Sequence, residues 1–181
     1  MPYVHMQFSP YDVIANDDIE ILPIARFKYI PDIKRLERNL LQFEWSEEFY
    51  RERMVTYPHL FYGAFYNNIL IGYICGCVKF DRSQTTRNKR HIQYYGLISK
   101  LAVLPEFQGQ GIGKALVLML IDAFEQYVDV HTLKLQVRKS NANALRLYTN
   151  PIIGFTITDE FEYSNGEHGY ELTRKLHPID P

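Results

Sequence analysis

The segment Leu101-Ala102-Val103-Leu104-Pro105-Glu106-Phe107-Gln108-Gly109-Gln110-Gly111-Ile112-Gly113-Lys114 decides the fold. It starts as the end of an apolar strand and passes through glycines at 109, 111 and 113. It then enters the apolar, helix-forming stretch Lys114 to Val128. A strand, a glycine turn and a helix in that order aim several backbone N–H groups one way. The first turn of the helix and its macrodipole add to them, so the unit reads as an anion site. Glycine removes the side chain where a phosphate must approach the main chain. The Gly-Lys-Ser/Thr ending of an ATP-binding P-loop is missing. The glycine spacing also departs from the dinucleotide pattern, and no acidic ribose ligand follows.

Working outward, Ile19 to Phe27 reads as a first strand despite Pro23. Pro31 and Asp32 open a helix with Ile33, Leu36, Leu40 and Leu41 on one face, ending near Phe43. Ser46 caps a second helix, whose first turn holds Glu47 and Glu48 and which stops before Pro58. The β-rich runs Leu60 to Tyr66 and Ile69 to Phe80 flank Asn67-Asn68 and read as a hairpin. Asp81 to His91 is a polar loop, and Ile92 to Leu104 returns to strand. Beyond the long helix come a strand from Leu133 to Arg138 and a short helix from Asn141 to Tyr148. Two last strands, Ile152 to Tyr163 and Gly169 to Leu176, enclose Ser164-Asn165-Gly166-Glu167. The order is β-α-α-β-β-β-α-β-α-β-β. It predicts an α/β domain with a mixed, mostly antiparallel sheet over residues 19–177, preceded by an irregular arm, 1–18.

The 181 residues are 46% hydrophobic and 23% charged, which excludes a disordered or fibrous chain. A net charge of -1 carries no basic excess, so neither DNA nor a membrane is expected as a partner. Cys75 and Cys77, two apart on one strand, make a poor disulfide; they read as small apolar residues of a reduced, cytoplasmic protein. Met1 to His5 lacks the basic start and apolar core of a signal peptide. The apolar run Ala115 to Ile121 is far shorter than the ~20 residues of a membrane span. The six histidines show no metal spacing, and no metal site is expected. The basic run Arg87-Asn88-Lys89-Arg90-His91 reads as a solvated loop rather than an RNA or phosphate contact.

Gln108, Gly111 and Gly113 match the acetyl-CoA signature Gln/Arg-x-x-Gly-x-Gly/Ala of the GNAT acetyltransferase superfamily, after a strand and opening a helix. The stretch from Val137-Arg138-Lys139-Ser140-Asn141 through Tyr148 to Gly154-Phe155 resembles that family's second block. Glu162 to Glu167, leading into Tyr170, resembles the last hairpin of protein Nα-acetyltransferase catalytic subunits. The resemblance spans residues 19–176 and implies a single-domain GNAT fold.

It also implies roles. Backbone groups of Leu101, Ala102 and Val103 would hold the pantetheine arm and thioester of acetyl-CoA. The pyrophosphate would lie on the amides of Gln108, Gly109, Gln110, Gly111, Ile112, Gly113 and Lys114. Asn141 would touch the cofactor arm, cap a helix, or both. Tyr148 matches the tyrosine near the CoA sulfur, a candidate general acid. The acceptor implied is a peptide or protein N-terminus, with an auxiliary subunit or ribosome association as further partners. A lysine or small-amine acceptor, and a non-catalytic acyl-CoA-binding subunit, are the alternatives.

Several relatives of this kind carry His or Glu where Gln136 stands, and some carry Tyr or His where Leu97 stands; neither residue here titrates. Neutralising an α-amine at pH 7 costs only ~1 kcal/mol, against roughly 4.6 kcal/mol for a lysine. A site without a strong base therefore favours N-terminal amines. Glu44, in the turn between the first two helices, is the remaining base candidate. Phe43 and Trp45 would wall the pocket for the first substrate residue. Tyr95, Gln136 and Tyr163 would line the rest of the acceptor groove.

Overall fold

The computed structural model describes residues 18–41, 44–81 and 93–176. The expectations for the N-terminal arm, for Phe43 and for the basic run Arg87 to His91 fall outside them. The chain runs β1 (Ile19–Pro23), α1 (Ile30–Leu40), α2 (Glu47–Thr56), β2 (Phe61–Tyr66), β3 (Ile69–Phe80) and β4 (Tyr94–Val103). It continues with α3 (Ile112–Tyr127), β5 (Thr132–Arg138), α4 (Ala142–Tyr148), β6 (Thr156–Glu162) and β7 (His168–Lys175). This is the expected order, and the strands form one mixed sheet, β1-β2-β3-β4-β5-β7-β6.

Local chemistry accounts for most boundaries. Asn67 and Asn68 have φ of 48° and 63°, the left-handed pair that a two-residue hairpin turn needs. The Ser46 hydroxyl accepts the Phe49 N–H at 3.2 Å and starts α2. α1 stops at Leu40, short of Phe43, and β1 stops at Pro23. α3 begins at Ile112, two residues early, because Gly111 at φ 85° takes the cap position. β6 begins at Thr156 rather than Ile152. Before it, Gly154 turns at φ 74°, and the buried Ile153 and Phe155 pin the chain to the core.

The sheet has two unlike faces. On one, α3 lays Leu116, Leu120 and Phe124 across the strands. Gly96 permits this approach: a Cβ there would stand 2.4 Å from Leu133 and 2.7 Å from Phe124. On the other, α1 and α2 bury Ile33, Leu36 and Tyr50 against Phe61 and Tyr73. α1 packs mainly on β3 and β4, and Gln136 of β5 is exposed. Among the described residues, β4 and β5 are the only parallel neighbours. They pair only at Gly96↔Leu133 and Leu97↔Lys134, and then part.

Candidate active site

The parting of β4 and β5 opens a cavity of about 1220 Å³. Ile98 to Leu101 and Val103 form one wall, Leu135 to Arg138 the other, and the glycine turn and α4 close the end. The turn is tied back to its strand by the Gln108 side chain, whose Nε2 donates to the Val103 carbonyl at 2.8 Å. Gly109 and Gly111 sit at φ 77° and 85°. A Cβ on Gly109 would meet nothing within 4 Å, so its backbone is open to whatever enters. The first turn of α3 holds no acid, and its N–H groups and dipole face the cavity end unopposed.

Of the residues expected to hold the cofactor, Leu101, Val103, Gln108, Gly109, Gly111, Ile112, Gly113, Lys114 and Asn141 line the cavity. Ala102 turns its side chain into the α1–α2 core, and Gln110 lies outside the lining with its side chain on the Glu106 carbonyl. Asn141 also caps α4, its Oδ1 accepting the Ala144 N–H at 3.0 Å. Tyr148 is buried at the cavity wall, edge-on to Phe155. Its hydroxyl makes no hydrogen bond to any described residue, and burial pushes its pKa well above the ordinary tyrosine value. The seven residues from Tyr148 to Gly154 fold into a closed turn. Within it Gly154 N–H donates to the Asn150 carbonyl at 2.8 Å and Phe155 N–H to the Tyr148 carbonyl at 3.1 Å.

The acceptor-side residues are spread more widely. Gln136 and Tyr163 line the cavity. The Tyr163 ring receives the Arg138 guanidinium at 4.9 Å. Trp45 packs on Phe49 and Tyr50 and lies 4.1 Å under the Lys100 ammonium. Tyr95 stands off the cavity with Lys134 over its ring. Glu44 also lies off the lining, facing Lys34 at 3.5 Å and Arg38 at 3.9 Å.

One group escaped the sequence reading. Glu37 of α1 is fully buried, and its Oε1 accepts from both Lys100 of β4 and the Tyr73 hydroxyl. The Tyr73 hydroxyl lies 3.2 Å from that of Tyr50. Among the described residues Glu37 Oε2 has no hydrogen-bond partner. A readable signal existed: Glu37 follows Ile33 by four positions, on the apolar face of its helix. Lys100 meanwhile lines the cavity, with Lys114, Arg138 and Arg146. Four cations, open glycine amides and a helix N-terminus fit a phosphate-bearing ligand, and the slot between the strands fits an extended arm.

The acetyltransferase (GNAT) family model matches residues 30–155. The N-terminal acetyltransferase A complex catalytic subunit NAA10 of Arabidopsis thaliana is 30% identical over 135 residues, 73% of this chain and 65% of that protein. The match thus spans just under two thirds of that relative's length. An N-alpha-acetyltransferase of Sulfurisphaera tokodaii is 25% identical over 154 residues, 84% of this chain and 90% of that one. Among solved structures, the NatC complex bound to Gag peptide and CoA contains a chain that superposes with a TM-score of 0.72 at 28% identity. The superposition covers 88% of this chain and 99% of that one. Arabidopsis thaliana Naa50 in complex with a bisubstrate analogue gives a TM-score of 0.70 at 22% identity, covering 88% and 99%, and bears on the fold alone.

Proposed function

Because the chain belongs to the acetyltransferase (GNAT) family, we propose that it moves the acetyl group of acetyl-CoA onto the α-amine of a peptide or protein N-terminus. The observation that carries this reading is the gap between β4 and β5, with the glycine turn at its end. In this reading the amides of Gln108 to Lys114 hold the diphosphate, and the backbone of Leu101 to Val103 holds the extended arm. Bound there, acetyl-CoA supplies an activated thioester.

Tyr148, kept protonated by burial, donates a hydrogen bond to the sulfur that departs. Asn141 holds α4, and thereby Tyr148, at the cavity wall. Trp45, Gln136 and Tyr163 position the acceptor from two sides of the gap. Glu44 serves as a carboxylate on the rim of the groove; to take a proton from the amine it must first leave Lys34 and Arg38. The preference for an α-amine follows from acidity: among the described residues no carboxylate or histidine lines the cavity, and neutralising an α-amine near pH 7 costs only ~1 kcal/mol. The relative NAA10 is named as a subunit of a complex, which supports an auxiliary subunit here as well. A cytoplasmic place fits such a substrate, and among the described residues no helix is long and apolar enough to cross a membrane.

The test is acetyl-CoA turnover on peptides varied at their first two residues, each with a free or a blocked N-terminus and an internal lysine. The reading expects transfer only to the free N-termini. Transfer to blocked peptides would move the assignment to lysine, and CoA binding without turnover would move it to a non-catalytic subunit.

A further inference from the structure

An ammonium must lose a proton before its nitrogen can attack, and the acceptor must lie within hydrogen-bonding reach or one water away. Among the described residues the cavity offers no ordinary base: its ionisable side chains are Lys100, Lys114, Arg138, Arg146, Tyr148 and Tyr163. The base therefore stands just behind the lining. Glu167 is taken by Arg138, and three further carboxylates come into question. Glu44 is turned toward Lys34 and Arg38. Glu37 is sealed behind Lys100 with none of its surface exposed.

Glu171 differs from both. β5 and β7 run antiparallel with Gln136 directly opposite Glu171. Residues so opposed project from one face, with Cβ atoms about 4.5–5.5 Å apart. Gln136 is the second residue beyond Lys134, where the pairing of β4 and β5 ends, so its side chain stands near the apex of the gap and lines the cavity, with Glu171 one strand behind it. They stand on the α1–α2 side of the sheet, and the opposite face is filled by α3. The Glu171 side chain is 28% exposed and accepts from the Lys134 ammonium at 3.2 Å. It is held in place yet open to solvent.

We propose that Glu171 is the proton acceptor for the attacking amine, working across Gln136 from the neighbouring strand. The inference rests on the acetyl-transfer reading above. Glu171 takes one proton from the ammonium and releases it to water. The freed nitrogen lone pair forms the bond to the carbonyl carbon, the carbon–sulfur bond breaks, and a second proton from the nitrogen ends on the sulfur. The charged and titratable groups around Glu171 are Lys134 and Arg138 on β5, Asp81 after β3, Tyr95 on β4 and Asp159, opposite it on β6. Arg138 is engaged by Glu167 and the Tyr163 ring. Burial works against the Lys134 charge, but the Glu171 hydrogen bond and the Glu171 and Asp81 charges overcome it, and its pKa is raised. The ammonium beside Glu171 therefore persists across the working pH range.

The experiment is the pH profile of kcat/KM on a free-N-terminal peptide. It compares wild type, Glu171→Gln, Lys134→Met and the double variant Gln136→Glu/Glu171→Gln. Glu171→Gln is expected to lower kcat/KM at pH 7 by about 100-fold and to recover as pH rises through the α-amine's own pKa, with KM for acetyl-CoA unchanged. Lys134→Met removes the ion pair but leaves the base, and should lose less than about tenfold. Gln136→Glu, one strand over, should restore at least about tenfold of the loss. A Glu171→Gln profile that superposes on wild type overturns the proposal, as does a Lys134→Met loss equal to it. A wild type inert toward every free N-terminus defeats the acetyl-transfer reading itself. A Glu171→Gln enzyme that transfers as well as an active wild type defeats this inference alone.

Discussion

Two lysine–glutamate pairs stand on the same side of the sheet, one on each flank of the gap between β4 and β5. Lys100 and Glu37 have side chains 10% and 0% exposed; Lys134 and Glu171 have side chains 19% and 28% exposed. The chemistry is identical and the surroundings are not. Around Glu37 lie the Tyr73 and Tyr50 hydroxyls, and Trp45 lies beneath Lys100. Around Glu171 lie Lys134, Asp81, Tyr95 and Asp159. Removing one member of a buried pair strands a charge in a medium that cannot screen it, whereas solvent covers more of the loss in a partly exposed pair. The first pair pins α1 to the cavity wall, and the second holds a partly exposed carboxylate beside Lys134.

That contrast is easiest to break from the buried side. Glu37→Ala should cost about 3–5 kcal/mol, read as a fall in the urea midpoint. Glu37→Leu combined with Lys100→Met should recover most of that cost, since well-packed apolar residues replace buried ion pairs at little loss. A double variant as unstable as the single one would mean that Lys100 and Glu37 do more than neutralise each other. On the cavity wall, Tyr148→Phe should lower kcat by about 10- to 100-fold and leave CoA binding intact, and unchanged turnover would remove it from the chemistry.

The tyrosines sharpen the comparison with pH. Burial raises the pKa of Tyr50, Tyr73 and Tyr148 above the ordinary value. The unfolded chain loses these phenolic protons near pH 10 while the folded chain keeps them, so the folded state binds more protons there. Their contribution to stability is therefore complete below about pH 10 and declines above it. Urea midpoints between pH 8 and 11 should show the decline, and Tyr50→Phe should flatten it. The smallest effect belongs to the open pair: Lys134→Met should change stability by only about 0.2–1 kcal/mol in the same assay.

Local signals in the sequence carried the elements well. Asn67-Asn68 announced the hairpin because few side chains accept positive φ, and Ser46 announced α2 because its hydroxyl replaces a missing backbone acceptor. The glycine turn was readable for the same reason, since Gly109 and Gly111 occupy the left-handed region. What stayed illegible was non-local. The parting of β4 from β5 depends on where a parallel pairing stops. The meeting of Glu37 with Lys100 spans 63 positions. Glu171 faces Gln136 only because β7 inserts between β5 and β6, a register that no local pattern encodes. Glu44 shows the reverse error of emphasis: its place in the helix–helix turn was legible, but the cations that face it, Lys34 and Arg38, come from an earlier helix.

The measurement closest to the central claim is amide hydrogen exchange across residues 108–114, with and without coenzyme A, alongside a calorimetric titration. Main-chain donors that grip a diphosphate should exchange markedly more slowly once the ligand is added, with measurable heat and the strongest protection at Gly109 to Gly113. Unchanged exchange in this segment, or no heat at millimolar ligand, would contradict the account.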